Sequence, residues 1–474
     1  MLVAVSFILF LLLFTGVGLY SATQQQNTTV DYLLASRSVG PWLTGLSAFA
    51  TAHSGGMFIS TIGYTYTAGI SSVWLLVGWF LGDYLTWFFV HKRLRLRSAE
   101  AGTDTFGSFL GAIAKGERPN RAIASISALI TLAFLGCYAA AQLLAGSKAL
   151  HVVFGWDYSI GIILGALIVV LYCFSGGIRA SIWTDAVQAI VMMGAMFLLT
   201  GIALSACGGF TGMWTQLQGL DPALIDPVPK DLKFGFALFL LSWLMGGVGV
   251  VGQPHIMVRA MVLKSSEQMN ISRNIYAGLY VIFSTAAVIA GLTARVLVPG
   301  LLEGGDPELA LPLMATELLP GLLVGLILAG IFAAVISTAD SQILSCSAAL
   351  TQDLCPQWAD SYRWAKRATL ISTGIIVAIA LTSNKNMFAL GVFAWSALSC
   401  GLGPLLVVRV FSLPLRPVVG VAMMITGVAV AAFWNMTLQF SASIYEVLPG
   451  MLAGFAVYLM AWLWESQQGK DVLL

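Results

Sequence analysis

Four ionisable side chains lie inside long apolar stretches of this chain: His53, Asp83, Asp185 and Asp340. A charged group at the centre of a lipid bilayer costs at least about 2.5–3.5 kcal/mol on insertion scales, so such residues usually have a function or a partner. Asp185 and Asp340 fit either a path for a cation or a structural role such as helix capping. Asp83 fits a hydrogen bond to a neighbouring helix. His53 fits a neutral hydrogen-bonded group, a solute contact or a proton-responsive group.

Small and hydroxyl-bearing residues surround two of these positions. The segment 47–56 reads Ser-Ala-Phe-Ala-Thr-Ala-His-Ser-Gly-Gly, and the segment 333–341 reads Ala-Ala-Val-Ile-Ser-Thr-Ala-Asp-Ser. One interpretation is close helix packing through small residues. The other is a pair of discontinuous helices, whose freed carbonyls and facing hydroxyls coordinate a cation. Two such segments in one chain favour the second interpretation.

Membrane-spanning helices must position these residues, because the chain has the composition of a membrane protein. Of its 474 residues, 58% are hydrophobic and only 9% are charged, whereas soluble domains carry about 25% charged residues. A helix needs about 20 apolar residues to cross the hydrocarbon core. We predict thirteen spans, at residues 2–21, 42–67, 70–91, 122–149, 157–177, 181–206, 234–259, 274–298, 319–349, 366–383, 387–410, 416–434 and 445–465. The first lacks the basic leader of a signal peptide, so we interpret it as a membrane helix.

The distribution of Lys and Arg indicates the orientation. With the N-terminus outside and the C-terminus in the cytoplasm, only five of the 23 cations face outwards: Lys148, Lys230, Lys233, Arg295 and Lys385. Predicted inner loops hold most of the others, among them Lys115, Arg118 and Arg259. The positive-inside rule therefore favours an odd number of spans. The lack of processing or retention signals favours a multi-pass protein of a bacterial inner membrane.

Other kinds of chemistry have little support in the sequence. Gly247-Val-Gly-Val-Val-Gly252 matches a dinucleotide-binding pattern, but it lies inside an apolar span rather than between a strand and a helix. A proline-induced bend at Gly252-Gln-Pro-His255 explains the segment better. No nucleophile, base and orienting residue form a catalytic pattern, so we predict that the protein is not an enzyme. The six cysteines form no CxxC pair, and nothing suggests nucleic acid as a partner.

Several segments together resemble those of the sodium:solute symporter family, especially its bacterial proline-permease branch. They are Asp31-Tyr-Leu-Leu-Ala-Ser-Arg-Ser-Val-Gly40, Trp183-Thr-Asp-Ala-Val-Gln188, Gly252-Gln-Pro-His-Ile256, Ser337-Thr-Ala-Asp-Ser-Gln342 and Ser345-Cys-Ser-Ala-Ala-Leu-Thr-Gln-Asp353. The resemblance runs from about residue 30 to residue 465. It implies an all-α integral membrane protein with a leucine-transporter-like fold, in which two inverted five-helix repeats contain discontinuous helices.

The resemblance also implies a domain organisation. A peripheral helix would occupy residues 1–30, a ten-helix transport core residues 31–412, and two further helices with a short cytoplasmic tail residues 413–474. The inverted repeats would lie at about residues 40–208 and 233–412. Because five is an odd number of spans, the two repeats would cross the membrane in opposite directions.

The family's coupling ion is Na⁺, and the resemblance carries its site onto residues of this chain. The backbone carbonyls of Ala50, His53 and Ala334 would bind the ion. The hydroxyls of Ser337 and Thr338 would complete the site. Asp185 matches a carboxylate on the inward path of the ion, and Asp340 is a second candidate for that path. A deep site lets the membrane potential assist binding by about 2.3 kcal/mol per charge per 100 mV.

The implied solute pocket departs from that of proline permeases. Candidate solute contacts are Ser54, Gly56, Tyr138, Gly246, Val250, Gln253 and Pro254. Tyr138 matches an aromatic residue near the substrate of those permeases. They have Asp in place of Ala52, Trp in place of Gly56, and Trp and Tyr in place of Gly246 and Val250. The lost rings predict a larger or rearranged pocket, and the lost Asp weakens the sodium argument while the backbone and hydroxyl ligands remain.

We therefore predict a secondary active symporter that couples inward Na⁺ movement to uptake of a small polar organic solute, an amino acid or similar metabolite. Its partners would be that solute and the lipid bilayer, and no oligomer is required. A transporter-like solute sensor is the alternative from another class, although the sequence contains no kinase or other output domain. A proton-coupled symporter is the second alternative, because His53 lies in the implied site.

Overall fold

The computed structural model of this chain describes residues 1–112, 119–230, 232–302, 305–382 and 387–467. Within these ranges the regular elements are helices, and one isolated parallel bridge joins Val39 to Leu263. A lipid environment explains why the regular elements are helices. Lipid offers the backbone no hydrogen-bond partners, and a helix satisfies its backbone hydrogen bonds within its own segment. The predicted all-α architecture is confirmed.

The helices vary widely in length, and short 3₁₀ or π turns join several of them end to end. The helices before residue 221 are α1 (Leu2–Ala22), α2 (Thr29–Leu34), α3 (Pro41–Ala52), α4 (Gly55–Ala68), α5 (Val73–Thr86), α6 (Lys92–Ala101), α7 (Phe106–Gly111), α8 (Arg121–Ile130), α9 (Gly136–Phe154), α10 (Tyr158–Ala206) and α11 (Gly209–Leu220). Those that follow are α12 (Phe236–Val248), α13 (Pro254–Val262), α14 (Met269–Leu297), α15 (Ala310–Leu318), α16 (Gly321–Ala348), α17 (Tyr362–Thr382), α18 (Met387–Val410), α19 (Pro417–Ala432) and α20 (Val447–Gln467).

The predicted number of thirteen spans is not confirmed. By length and apolarity, ten helices in the described ranges can cross a membrane, and the bent pair α12 and α13 makes an eleventh. Two mergers account for the difference, since Phe58–Ala101 and α10 each cover parts of two predicted spans. A straight α10 would be about 73 Å long, more than twice the hydrocarbon thickness of about 30 Å. Gly177 interrupts it with φ 57° and ψ −144°, which are not helical angles.

Two spans are interrupted near their centres. α3 and α4 are separated at His53 and Ser54, and α12 and α13 meet at a bend of 61°. Pro254 begins α13, and a proline has no amide hydrogen to continue the ladder of α12. The bend that the sequence predicts at this motif is confirmed. The interrupted spans are the first of each predicted inverted repeat, while the repeat boundaries themselves stay a prediction.

α16 lies at the centre of the bundle, packed against α1, α3, α4, α9 and α10. Its residues 327–344 are buried on all sides, which is typical of an all-round apolar helix. The sequence predicts a break at 333–341, and this prediction is wrong because α16 is continuous from Gly321 to Ala348. Ser and Thr hydroxyls can bond the carbonyl one turn earlier without interrupting a helix. Thr338 and Ser341 do so here, at 3.1 Å and 2.7 Å.

The two ends of the chain pack around this centre. α1 lies against α10 and α16, whereas α19 and α20 pack on each other and on α18. The placement of residues 1–30 as a peripheral helix and the other domain boundaries stay predictions. Lys115, Arg118, Lys385 and the tail from residue 468 lie outside the described residues.

Candidate functional site

The first interrupted span presents backbone carbonyls at its break. α3 ends at Ala52, His53 has φ −89° and ψ 66°, and α4 begins at Gly55. The last carbonyls of α3, including that of Ala50, therefore lie where a helix offers no partner one turn ahead. Gly55 allows the break to approach α16, because a Cβ built on it would lie 2.3 Å from Cγ2 of Val335. The glycine thus brings the freed carbonyls against α16.

Two hydroxyls of α16 meet these carbonyls. Ser337 Oγ lies 3.0 Å from the Ala50 carbonyl oxygen and 3.2 Å from that of Ala334. Thr338 Oγ1 lies 3.1 Å from the carbonyl oxygens of Thr51 and Ala334. The five oxygen atoms make four short contacts but carry only two hydroxyl protons. Each hydroxyl therefore shares one proton between two carbonyl oxygens, and a hard cation would supply positive charge that this oxygen cluster lacks.

The spacing of these oxygens suits a small hard cation. Oxygen ligands lie about 2.3–2.6 Å from a cation such as Ca²⁺, so ligands at right angles are about 3.3–3.7 Å apart. The observed contacts of 3.0–3.2 Å are a little shorter, and a slight expansion would accommodate an ion. The structure brings together Ala50, Ala334, Ser337 and Thr338 of the predicted set. Sequence reasoning missed Thr51, whose carbonyl lies at the same helix end.

The imidazole of His53 lies among aromatic rings. Its centroid is 4.4 Å from Phe49, 4.7 Å from Tyr280 and 5.2 Å from Phe283. Nδ1 lies 3.1 Å from the Phe49 carbonyl oxygen and therefore donates a hydrogen bond to it. A charged imidazolium would be buried there at high cost, since its contacts in the described structure include no carboxylate. The geometry favours the neutral, hydrogen-bonded role among the three that the sequence leaves open.

A buried guanidinium forms the centre of an ionic network beside the hydroxyl cluster. Arg259 is 1% exposed, and its Nη2 lies 3.1 Å from Asp185 Oδ2. Nη1 donates to the His255 carbonyl at 2.7 Å, and Nε donates to Ser47 Oγ at 3.2 Å. Ser47 Oγ in turn donates to Asp185 Oδ2 at 2.6 Å. The network links α3, α10 and α13, so it spans both predicted repeats.

Among the described residues, Asp340 is held by hydroxyl donors rather than by direct contact with a cation. Its Oδ2 accepts from Tyr172 Oη at 2.7 Å, and its Oδ1 lies 2.9 Å from Ser181 Oγ. Ser341 Oγ lies 2.8 Å from the same Oδ1 and 2.7 Å from the Ser337 carbonyl, which links Asp340 to the hydroxyl cluster. Asp185 and Asp340 lie deep inside long helices. A capping role for either residue is therefore wrong.

The position of Arg259 corrects the sequence analysis. The charge count places it in an inner loop, yet it lies within α13 and is fully buried. With Asp185 and Asp340 it forms a group of two carboxylates and one guanidinium, formally one negative charge in excess. Two carboxyl groups buried in one site need a cation or a bound proton to balance their charge. That requirement was the signal that could have identified Arg259 from the sequence.

Asp83 has the structural role that the sequence predicts. Its carboxylate accepts a short hydrogen bond from Tyr276 of α14. Thr86 Oγ1 lies one turn further along α5 and bonds to the Asp83 carbonyl at 2.7 Å. Asp83 therefore ties α5 to α14.

A cavity begins at the break of the first interrupted span. Ser54 and Gly56 line one end of it, together with Tyr138 and Gln142 of α9. Tyr138 Oη donates to Ser54 Oγ at 3.3 Å, and the Gly56 amide donates to Gln142 Oε1 at 3.3 Å. The space between these residues, counted together with the open solvent at its mouth, is about 990 Å³. Polar side chains thus line this space beside the break.

Charged groups line the other end of the cavity. Lys148 lies about 15 Å beyond Tyr138 along α9, and its Nζ is 2.9 Å from Asp306 Oδ2 and 2.6 Å from Glu308 Oε2. Ser60 Oγ donates to the other oxygen of Glu308 at 3.2 Å. Two carboxylates on one ammonium leave a formal negative charge at this end. Such a charge favours the approach of cations to the cavity.

Comparison with known proteins identifies the family of this transporter-like chain. The sequence model of the sodium:solute symporter family matches residues 32–416. The chain belongs to this family. The symporter is 30% identical over 470 residues to the sodium/proline symporters of Staphylococcus aureus strains JH9 and Newman, covering 94% of this chain and 90% of each relative.

Solved structures support the same fold. The symporter resembles a Na⁺-coupled sialic acid symporter in a substrate-bound outward-open state, with a TM-score of 0.80 and 20% identity over 97% of this chain and 98% of the other. It resembles a nucleobase-cation-symport-1 family transporter, in a closed conformation with bromovinylhydantoin bound, with a TM-score of 0.57 and 16% identity over 94% and 96%. The leucine-transporter-like fold is thus confirmed, and Na⁺ is the coupling ion of solute uptake.

The remaining candidate solute contacts lie on the second interrupted span of the symporter and do not line the cavity. The Gly246 carbonyl accepts from Trp395 Nε1 at 3.2 Å, and Val250 is buried. Gln253 Nε2 donates to the Trp395 carbonyl at 3.0 Å, and Pro254 begins α13. The cavity of the symporter therefore combines three of the seven predicted contacts, Ser54, Gly56 and Tyr138, with residues that sequence reasoning missed.

Proposed function

We propose that the symporter takes up a small polar organic solute, an amino acid or similar metabolite, in the cavity above the break between α3 and α4. Na⁺ binds at the break itself. The observation that carries this proposal is the contact of the Ser337 and Thr338 hydroxyls with the carbonyls of Ala50 and Ala334. An oxygen cluster with too few protons supports a cation site.

The proposed ligands are the carbonyls of Ala50, His53 and Ala334 and the hydroxyls of Ser337 and Thr338. To bind the ion, each hydroxyl turns its proton outwards and its lone pair inwards. The ion then holds α16 against the end of α3. Ala50 and Ser54 are four residues apart on either side of the helix end, so fixing the sodium ligands also fixes the residues that meet the solute. This shared segment is the proposed physical basis of coupling.

The lining of the cavity supports a polar organic solute. The Gln142 amide, the Tyr138 hydroxyl and the hydroxyl of Ser54 can bond polar groups, while aromatic rings offer apolar contact. The name of the Staphylococcus aureus relatives, sodium/proline symporter, supports the amino-acid class. The changed residues at Gly56 and Gly246 argue for a solute other than proline.

The charge distribution supports an outward-opening cavity. Lys148 belongs to the five cations predicted on the outer side, and it lines the end of the cavity away from the break. On the opposite side, Arg37 Nη2 donates to the Thr103 carbonyl at 2.7 Å, and the Lys264 amide donates to the Val39 carbonyl at 2.9 Å. Opening of these contacts would release Na⁺ inwards past Asp185 and Asp340. The proposal places the N-terminus outside and the C-terminus in the cytoplasm of a bacterial inner membrane.

Uptake by purified protein in liposomes tests the proposal. A panel of labelled amino acids, betaines, carboxylates and sugars is offered under an inward sodium gradient. The gradient should drive accumulation of an amino acid. Replacing Ser337 and Thr338 together with alanine should abolish the stimulation by Na⁺. The matched control is Thr351→Ala, which removes a hydroxyl from the helical turn that continues α16. This hydroxyl bonds to the Ser347 carbonyl one turn earlier.

Two results would contradict the proposal. Uptake that neither a sodium nor a proton gradient changes would exclude symport, whereas binding of a solute without any uptake would favour a sensor. Unchanged sodium activation in the double alanine variant would exclude the assigned ligands. Equal losses in Thr351→Ala would mean that the double variant only damages the fold.

A further inference from the structure

One wall of the solute cavity comes from outside the predicted ten-helix core. Tyr445 lies in the turn immediately before α20 and lines the cavity. Its side chain is 2% exposed. α20 packs on α12 as well as on α18 and α19, which brings this turn against the second interrupted span. A residue outside the predicted ten-helix core thus reaches the solute cavity.

The Tyr445 ring belongs to an aromatic cluster at the cavity. It stacks on Trp243 with a centroid distance of 4.7 Å and an interplanar angle of 20°. It is also nearly parallel to Trp79, at 6.2 Å and 26°. Its hydroxyl lies 3.0 Å from Ser396 Oγ of α18. Trp79 and Trp243 also line the cavity, so the ring has a fixed orientation within an aromatic wall.

Gly246 provides the space that the ring occupies. A Cβ built on Gly246 would lie 2.9 Å from both Cδ1 and Cε1 of Tyr445, and 3.4 Å from Cε3 of Trp79. Any larger side chain at position 246 would need this ring to move. The missing side chain on α12 and the ring from the α20 turn are therefore complementary.

Glu446 anchors the turn that presents the ring. Its Oε1 accepts from Ser396 Oγ at 2.8 Å and lies 3.3 Å from Asn435 Nδ2. Trp434 Nε1 donates to the Ile444 carbonyl at 3.0 Å. Since these bonds come from α18 and from the helical turn that continues α19, the turn before α20 is held on two sides. The ring is thus positioned by tertiary contacts rather than by the local sequence.

We propose that Tyr445 is a specificity-determining residue of the solute cavity, and that it rebuilds from the C-terminal helix pair the aromatic surface that Gly246 lacks. The inference rests on the proposed function, because it needs the solute to occupy this cavity. The ring contacts an apolar part of the solute and limits the space available beside α12. Truncating it widens the cavity and changes which solutes fit, whereas sodium binding at Ser337 and Thr338 stays unaffected.

Accessibility tests the wall without any transport assay. In right-side-out membranes, Tyr445→Cys should react with 2-(trimethylammonium)ethyl methanethiosulfonate added outside, at least about tenfold faster than the background from the six native cysteines. Tyr458→Cys is the matched control, since it replaces a half-buried tyrosine of α20, the helix that follows Tyr445, and Tyr458 does not line the cavity. Labelling of Tyr445→Cys at the background rate would overturn the proposal.

The uptake kinetics of four labelled probes test the specificity of the cavity. Labelled L-proline, L-alanine, L-phenylalanine and N-acetylneuraminate are each offered to wild type, Tyr445→Ala, Tyr445→Phe and Tyr458→Ala under a sodium gradient. Tyr445→Ala should shift the relative KM values of small and large probes by about five- to tenfold, without a change in the sodium concentration for half activation. Tyr445→Phe should keep the wild-type order of preference.

The possible failures are distinguishable. An unchanged order of preference in Tyr445→Ala would overturn the role of Tyr445 while leaving the proposed symport intact. If wild type takes up none of the four probes, the proposed solute class fails, and the labelling rates alone decide whether Tyr445 lines an open cavity. Gly246→Ala supplies an independent check. It should lower the melting temperature when Tyr445 is present and have less effect in the Tyr445→Ala background, and equal effects would overturn the complementary packing.

Discussion

The Nη2 atom of Arg259 lies 3.1 Å from Oδ2 of Asp185, and both side chains are shielded from solvent. This pair joins α13, the helix after the second break, to α10. Other residues of α10 bond the carboxylate of Asp340. A buried ion pair contributes little when intact, because desolvation offsets the attraction, but removal of one partner leaves an uncompensated charge. The pair therefore connects the two predicted repeats at a position where a mismatch of charge is costly.

The first prediction concerns this pair. Arg259→Gln should lower the free energy of unfolding by about 3–5 kcal/mol, because Asp185 loses its counter-ion. The double variant Asp185→Asn/Arg259→Gln should recover part of the loss, since neither charge remains. Melting temperatures of the detergent-solubilised protein measure both effects, with the exposed Arg363→Gln as control. A double variant less stable than either single variant would refute the pairing.

The second prediction distinguishes a ligand role of the Thr338 hydroxyl from a packing role of its branched side chain. Thr338→Val keeps the branched side chain but removes Oγ1, so the sodium concentration for half-maximal uptake should rise at least about tenfold. Thr338→Ser keeps the oxygen and should stay within about threefold of wild type. Sodium titrations of uptake in liposomes measure the difference. If valine and serine behave alike, Thr338 contributes packing rather than a ligand.

The third prediction concerns the close contact at the break. Gly55→Ala would place its Cβ 2.3 Å from Cγ2 of Val335, and such overpacking typically costs about 1–3 kcal/mol. Val335→Ala should rescue the melting temperature of Gly55→Ala by removing the clash. Gly194→Ala, where a Cβ meets nothing within 4 Å, should be neutral or stabilising by up to about 1 kcal/mol. Failure of the rescue would mean that the break does not approach α16 at this point.

The fourth prediction concerns the proton-coupled alternative. His53 lies among Phe49, Tyr280 and Phe283, donates through Nδ1 to the Phe49 carbonyl, and has no carboxylate among its contacts in the described structure, so this geometry fits a neutral imidazole. Sodium-driven uptake at fixed membrane potential should vary less than about threefold between pH 6 and pH 8 if His53 stays neutral over this range. His53→Asn, which retains a side-chain hydrogen-bond donor, should show the same flat profile. A tenfold increase on acidification that His53→Asn removes would establish proton coupling at this residue.

Local signals in the sequence predict several elements correctly. Apolar runs locate the helices, and the Gly- and Ser-containing segment around His53 indicates the first break. The Gly252-Gln-Pro254 motif predicts the second bend, because proline cannot donate to a helix ladder. The segment around Ser337 is rich in the same small and hydroxyl residues, yet α16 is continuous. Composition alone does not separate hydroxyls that bond back within a helix from those beside a break.

By itself, the sequence determined the membrane class, the first break and the bend at Pro254, because these follow from hydropathy and local backbone chemistry. Only the tertiary structure decided that Arg259 neutralises Asp185 and that Tyr445 fills the space beside Gly246. These partners are 74 and 199 residues apart in the chain. In lipid, apolar residues cover both the outside and the inside of the bundle, so hydropathy does not show which helices meet. Packing and the pairing of buried charges make that choice.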